Sequence, residues 1–80
     1  MPSWTHRAKR DFDEAPDPLK AKIQAVVSRL DSEPTLGSKL QGKLAGMRSV
    51  RVGRSYRVIY SIEADGPTIL TMGPRRDVYR

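Results

Sequence analysis

Ser49-Val50-Arg51-Val52-Gly53-Arg54-Ser55-Tyr56-Arg57-Val58-Ile59-Tyr60-Ser61-Ile62 decides the architecture. Its period is two. Val50 and Val52 fall on one face and Arg51 on the other. Gly53-Arg54-Ser55 reads as a turn, after which Tyr56, Val58, Tyr60 and Ile62 alternate with Arg57, Ile59, Ser61 and Glu63. Successive side chains of a strand point to opposite sides, so this alternation describes a half-buried β-hairpin. The apolar set is expected to face a core, and the set containing Arg51 and Arg57 to face outward. A slip of one residue would exchange the two faces, which pins the register.

Reading toward the C-terminus, Asp65-Gly66-Pro67 is a turn and Thr68–Met72 a third strand. After Gly73-Pro74, Asp77-Val78-Tyr79 is expected to form a short final strand. Reading toward the N-terminus, the period changes to that of a helix. Leu19, Ile23, Val26, Val27 and Leu30 are spaced i, i+4, i+7, i+8 and i+11, one face of a helix. It is expected to open with Asp17 as cap and Pro18 at the first helical position, and to stop near Asp31 or Ser32, ahead of Glu33-Pro34. Before it, Thr5 is an acceptable cap for a first helix over His6 to Ala15, with Ala8, Phe12 and Ala15 as its apolar stripe; Pro16 ends it. Trp4-Thr5 is either the stub of a strand or the lead-in to that helix. Pro34 to Met47, with Gly37, Gly42 and Gly46, reads as a loop with a helical turn at Ser38–Leu40. The sum is one α+β domain over residues 1–80: two N-terminal helices as an αα-hairpin on one face of a small three- to four-stranded antiparallel sheet. The opposite face is left open, with arginines on it.

The bulk properties bound the function. Eighty residues without cysteine make one small domain with no disulfide and no thiolate chemistry. No apolar run is long enough to span a membrane, and Met1-Pro2-Ser3-Trp4 lacks a signal-peptide pattern, so cytoplasm is the expected location. Net charge is +6, and residues 48–80 carry seven basic side chains, all arginine, against three acids. Arginine presents a planar fork that matches phosphate. A nucleic acid or an acidic protein is the partner such a balance suggests, although charge alone is also met by a solvated surface.

Two constellations carry chemistry. Arg51 and Arg57, one tight turn apart, are expected to be cross-strand neighbours. Like charges so placed are unfavourable, and an anion between them would relieve the repulsion; acids or a partner chain would do the same. Arg75, Arg76 and Tyr79 form the second, in which an arginine-flanked phenol is a candidate base for RNA cleavage by 2′-hydroxyl attack. His6 alone at a helix start, and Asp11, Asp13, Glu14 and Asp17, read as solvated helix surface. No His or Cys array offers a metal site, and no phosphate-binding or dinucleotide loop is present. Trp4, Phe12, Tyr56 and Tyr60 read as core.

Leu40-Gln41-Gly42-Lys43-Leu44-Ala45-Gly46-Met47-Arg48-Ser49-Val50-Arg51-Val52-Gly53, followed by Tyr56-Arg57-Val58-Ile59-Tyr60, resembles the centre of RelE/ParE-superfamily toxins of bacterial toxin–antitoxin modules. Gly73-Pro74-Arg75-Arg76-Asp77-Val78-Tyr79 is similar to the closing motif of the RelE branch. The resemblance implies a cytoplasmic endoribonuclease that cuts mRNA on the ribosome without metal or cofactor and is neutralised by a cognate antitoxin wrapped around its sheet and helices. Carried over residue by residue, it implies Tyr79 as general base, Arg75 at the leaving oxygen, and Arg57 and Arg51 on the scissile phosphate. Arg48, Arg54, Arg76 and Arg80 are the further expected RNA contacts. The chain departs from the pattern at Ser49, where the family carries a base, at Pro74, and in its nearly absent first strand. Two other expectations therefore stand beside the first: a ParE-like inhibitor of DNA gyrase acting by binding, and a degenerate toxin that only binds its antitoxin.

Overall fold

The computed structural model describes residues 2–74. In chain order it contains β1 (Ser3–Trp4), α1 (His6–Glu14), α2 (Asp17–Arg29), β2 (Ser38–Lys39), a 3-10 turn (Gly42–Leu44), β3 (Met47–Val52), β4 (Tyr56–Glu63) and β5 (Gly66–Pro74). The strands form one sheet in the order β1-β5-β4-β3-β2. All neighbours are antiparallel except β1, which runs parallel to β5.

The α+β class and the helix pair are as expected, and the sheet is larger. Five strands replace three or four, and the parallel β1 makes it mixed. The helical turn expected at Ser38–Leu40 is instead β2, which pairs Ser38 with Ser49 and Lys39 with Arg48. Leu40 N–H also donates to Met47 O at 3.0 Å. The third strand is longer than expected, and α2 ends at Arg29, earlier than expected. The short strand expected at Asp77–Tyr79 lies outside the described residues.

Each helix starts for a local reason. Thr5 caps α1 with its hydroxyl, which accepts from Ala8 N–H at 3.0 Å. Pro18 sits in the first turn of α2, where its missing N–H is no loss. The helices bury Ala8, Ala15, Ile23, Val27 and Leu30 against Val50, Val52, Val58, Tyr60, Ile69 and Met72. Trp4 meets Phe12 edge to face, ring centroids 5.5 Å apart.

Tyr60 ties the loop before β2 to this core. Its hydroxyl donates to Pro34 O at 2.7 Å and accepts from Gly37 N–H at 2.9 Å. Gly37 must be glycine, since a Cβ there would stand 2.7 Å from Ser49 O. Between β4 and β5 the register slips: Ile59 pairs with Thr71, but Tyr60 pairs with Ile69, which leaves Leu70 as an extra residue. The slip keeps Tyr60 and Ile69 together in the core. Two isoleucines reverse their expected exposure. Ile62, in the apolar set, is 47 % exposed, being paired with Pro67 near the β4–β5 hairpin end. Ile59, in the outward set, is buried, flanked by Ser49 on β3 and Thr71 on β5.

Candidate functional site

The β3–β4 pairing is unbroken from Met47↔Ser61 to Val52↔Tyr56, so Arg51 stands directly opposite Arg57. The row on the other side of Arg57 is Gly73, which contributes no side chain. Arg48, Val50 and Val52 alternate with Ser49 and Arg51. Because Val50 and Val52 belong to the core, Ser49 and Arg51 belong to the sheet face without helices. On that face lie an exposed Arg51, a half-buried Arg57, and buried Ser49 and Ile59 in the adjoining pair. Among the described residues Arg57 Nε is buried without a hydrogen-bond partner. A buried donor left unmade costs about 1–3 kcal/mol, more when charged. An oxyanion beside Arg51 and Arg57 would supply both the missing acceptor and the countercharge.

Arg54 lies exposed in the Gly53–Ser55 turn, at the end of the hairpin that carries the pair. Arg48, an expected RNA contact, lies on the other side of the sheet from Arg51. It shares a pair with Tyr60 on the helix-facing side, and its Nη1 donates to Gly37 O at 2.7 Å. It is a tether of the β2 loop rather than a member of the arginine face. Arg75, Arg76, Tyr79 and Arg80 lie outside the described residues.

A second feature has no counterpart in the sequence reading. Where β1 stops, the edge of β5 is closed by α1. Thr5 N–H donates to Ile69 O at 3.0 Å, Thr5 Oγ1 to Leu70 O at 2.7 Å, and Asp11 Oδ2 accepts from Thr71 Oγ1 at 2.8 Å and Met72 N–H at 3.2 Å. Asp11 is thus a bonded group of the fold and not merely solvated surface. Beside it, Arg7, Glu14, Tyr56 and Gly73 help line a cavity of about 310 Å³. Tyr56, expected in the core, is half-buried there. Burial first, then the charges of Asp11 and Glu14, push its phenol above the ordinary tyrosine value. The i, i+4, i+7 spacing of Arg7, Asp11 and Glu14 was the available signal; nothing local announces that β5 is their neighbour.

Two N-terminal helices packed on a five-stranded mixed sheet make the α+β fold of RelE-like toxins. The chain belongs to the ParE toxin family of type II toxin–antitoxin systems (parDE), whose family model matches residues 3–79. Among solved structures it is similar to the toxin–antitoxin complex RelBE2 from Mycobacterium tuberculosis, at 33 % identity over 96 % of this chain and 92 % of that one, TM-score 0.76. The YoeB/ParE toxin from Agrobacterium tumefaciens shares the fold at 20 % identity over 92 % and 98 % of the two chains, TM-score 0.80. YafQ from E. coli strain BL21(DE3) shares it at 16 % identity over 100 % and 98 %, TM-score 0.83. No curated protein matches the sequence at a significant level. Among the described residues no helix is long and apolar enough to cross a membrane.

Proposed function

We propose that this toxin is a ribosome-dependent endoribonuclease that cleaves mRNA, with the Arg51–Arg57 face as its phosphate site. The observation that carries the reading is Arg57, opposite a second arginine, with a buried Nε that has no partner among the described residues. Such a group is preorganised for an anion and gives up no bond to the described residues when the anion arrives. In the reaction the 2′-oxygen attacks the adjacent phosphorus and the 5′-oxygen departs, leaving a 2′,3′-cyclic phosphate. Arg51 and Arg57 hold the phosphoryl oxygens as charge builds on them. On the resemblance to RelE-type toxins, Tyr79 takes the 2′-proton, and Arg75 stabilises or protonates the leaving oxygen. Ribosomal positioning of the mRNA compensates for the absence of a catalytic histidine from this set. An antitoxin is the expected protein partner, and RelBE2, the relative at 33 % identity, is itself a toxin–antitoxin complex.

The matching family model favours a second reading, a ParE-type toxin that disables DNA gyrase by contact. One experiment separates the two: primer extension on a defined mRNA in a translating extract, with wild type, Arg57→Ala and Tyr79→Phe. Cuts within codons that require ribosomes and both side chains support the ribonuclease. Intact mRNA from folded protein overturns it; gyrase inhibition would then favour the second reading. Neither activity, with antitoxin binding retained, would describe a degenerate toxin.

A further inference from the structure

Residues 34–62, which supply β2, β3 and all of β4 except its last residue, carry Lys39, Lys43, Arg48, Arg51, Arg54 and Arg57 and not one acid. Within that stretch three arginines gather at one hairpin end. Arg51 pairs with Arg57, and the next pair, Val52 with Tyr56, closes onto the turn that holds Arg54. Arg51 and Arg54 are exposed. The acids of α1 come in from the β5 side, where Asp11 and Glu14 line the cavity with Tyr56 and Gly73. Among the described residues the ion pairs are Lys20–Asp17 and Arg29–Glu33, so neither acid is spent on Arg51 or Arg57. Residues directly opposite on antiparallel strands have Cβ atoms about 4.5–5.5 Å apart. Two guanidinium forks therefore spring from neighbouring positions, each able to take a phosphoryl group bidentately.

We propose that this end of the bare face binds a phosphoanhydride, the diphosphate or triphosphate group of a free nucleotide or inorganic pyrophosphate, and that the bound polyphosphate keeps RNA off the face. The inference rests on reading Arg51 and Arg57 as an anion site, and not on RNA cleavage. Spacing and charge favour it. A single bridging oxygen separates the two phosphoryl groups of a diphosphate, so each of two facing arginines can hold one of them. Successive phosphates of an RNA strand stand a ribose apart and share a pair of adjacent guanidinium groups less well. One phosphodiester also brings a single negative charge to three arginines, whereas a diphosphate brings two or three. The phosphates, and not a base, carry the recognition. Among the described residues the aromatic rings, Trp4, Phe12, Tyr56 and Tyr60, belong to the core or pack against it, which leaves no described ring on the bare face to stack a base.

The test is isothermal titration calorimetry in metal-free buffer with pyrophosphate, ADP, inorganic phosphate and a dinucleoside monophosphate, on wild type, Arg51→Gln, Arg57→Gln and Lys43→Gln. Pyrophosphate and ADP are expected to bind alike, and about ten- to a hundredfold more tightly than phosphate or the dinucleotide, the worth of one further charge-assisted contact. Arg51→Gln and Arg57→Gln should each erase that advantage. Lys43→Gln, which removes the same charge from the 3-10 turn, should keep it. Equal affinity for pyrophosphate and phosphate overturns the proposal. So does a loss in Lys43→Gln as large as in the arginine variants, which would mean attraction to net charge alone. ADP binding far more tightly than pyrophosphate overturns the assignment to the phosphates. If Arg57→Gln fails to fold, the exposed Arg51 decides the question. A second arm follows the anisotropy of a labelled single-stranded RNA. Pyrophosphate should displace it at the concentrations at which it binds in the calorimeter, and RNA that stays bound at saturating pyrophosphate overturns the competition. Pyrophosphate binding by a wild type that cuts no mRNA would leave this site standing and remove the ribonuclease reading.

Discussion

The two faces of the sheet obey opposite rules. On the helix-covered face Val50, Val52, Val58 and Ile69 are buried against α1 and α2, and the Tyr60 hydroxyl is both donor and acceptor. On the bare face two arginines oppose each other and one keeps a buried nitrogen without an acceptor among the described residues. The packed face stabilises the molecule, and the bare face is the one proposed to take a ligand. That division teaches where to look for function in a small domain: at the polar groups its packing leaves unsatisfied.

The largest effect is expected from Arg57→Ala. If the bare face is catalytic, removing this preorganised donor lowers the mRNA cleavage rate by about 10²–10³-fold, while the melting temperature stays within a few degrees of wild type. Primer extension and thermal unfolding on the same preparations read both. A variant that cleaves normally would erase the functional half of the comparison.

The packed face breaks differently. Tyr60→Phe leaves Pro34 O and Gly37 N–H without their shared partner and is expected to cost about 1–3 kcal/mol. Gly37→Ala forces a Cβ against Ser49 O and should cost a similar 1–3 kcal/mol through overpacking. Denaturant unfolding measures each. Neither removes an arginine of the bare face, so if that face binds RNA, folded protein at low temperature should still bind it.

Arg51→Gln sharpens the contrast, because stability and function should move in opposite directions. Removing one of two facing like charges is expected to stabilise the hairpin by about 0.2–1 kcal/mol, readable as a small rise in the denaturant midpoint. Anion binding at the same face should weaken. A loss of stability instead would mean that Arg51 is held by favourable contacts and not poised for a ligand.

How much of this was legible in the sequence depends on how far apart the partners are. The β3–β4 hairpin was plain, because alternation and the Gly53 turn lie within fourteen residues and fix Arg51 against Arg57. The amphipathic face of α2 was equally plain. The short strands were not. β2 exists because Ser49 and Arg48 offer a neighbouring edge, and the two residues Ser38-Lys39 carry no period of their own. Asp11 reads as a solvated acid until β5, sixty residues away, brings Thr71 and Met72 to it. Arg48 has the same composition signal as Arg51, and only the parity of the strand sends it to the helix side. Ile59 reads as exposed by that parity, whereas the sheet gives it neighbours on both sides. Chemistry-bearing residue types were recoverable locally; which of them the fold had already engaged was not.

Tyr56 gives the smallest and most specific prediction, at the seam where the two faces meet. It closes the β3–β4 hairpin opposite Val52, yet its phenol shares a cavity with Glu14 and Asp11. Burial and those carboxylates hold the phenol above its ordinary value of 10.0 in the folded state. The unfolded chain therefore loses this proton at lower pH than the folded one. Below pH of about 10 both states are protonated and the group leaves stability unchanged. Above it the unfolded state is ionised first, so stability falls as pH rises toward the folded value. The Tyr56→Phe variant should lose that alkaline decline while matching wild type near neutrality. Melting temperatures from pH 9 to 11 measure the difference. Parallel curves would show that the cavity presents the phenol to water as freely as the unfolded chain does, and that the carboxylates of α1 do not act on the sheet at this end.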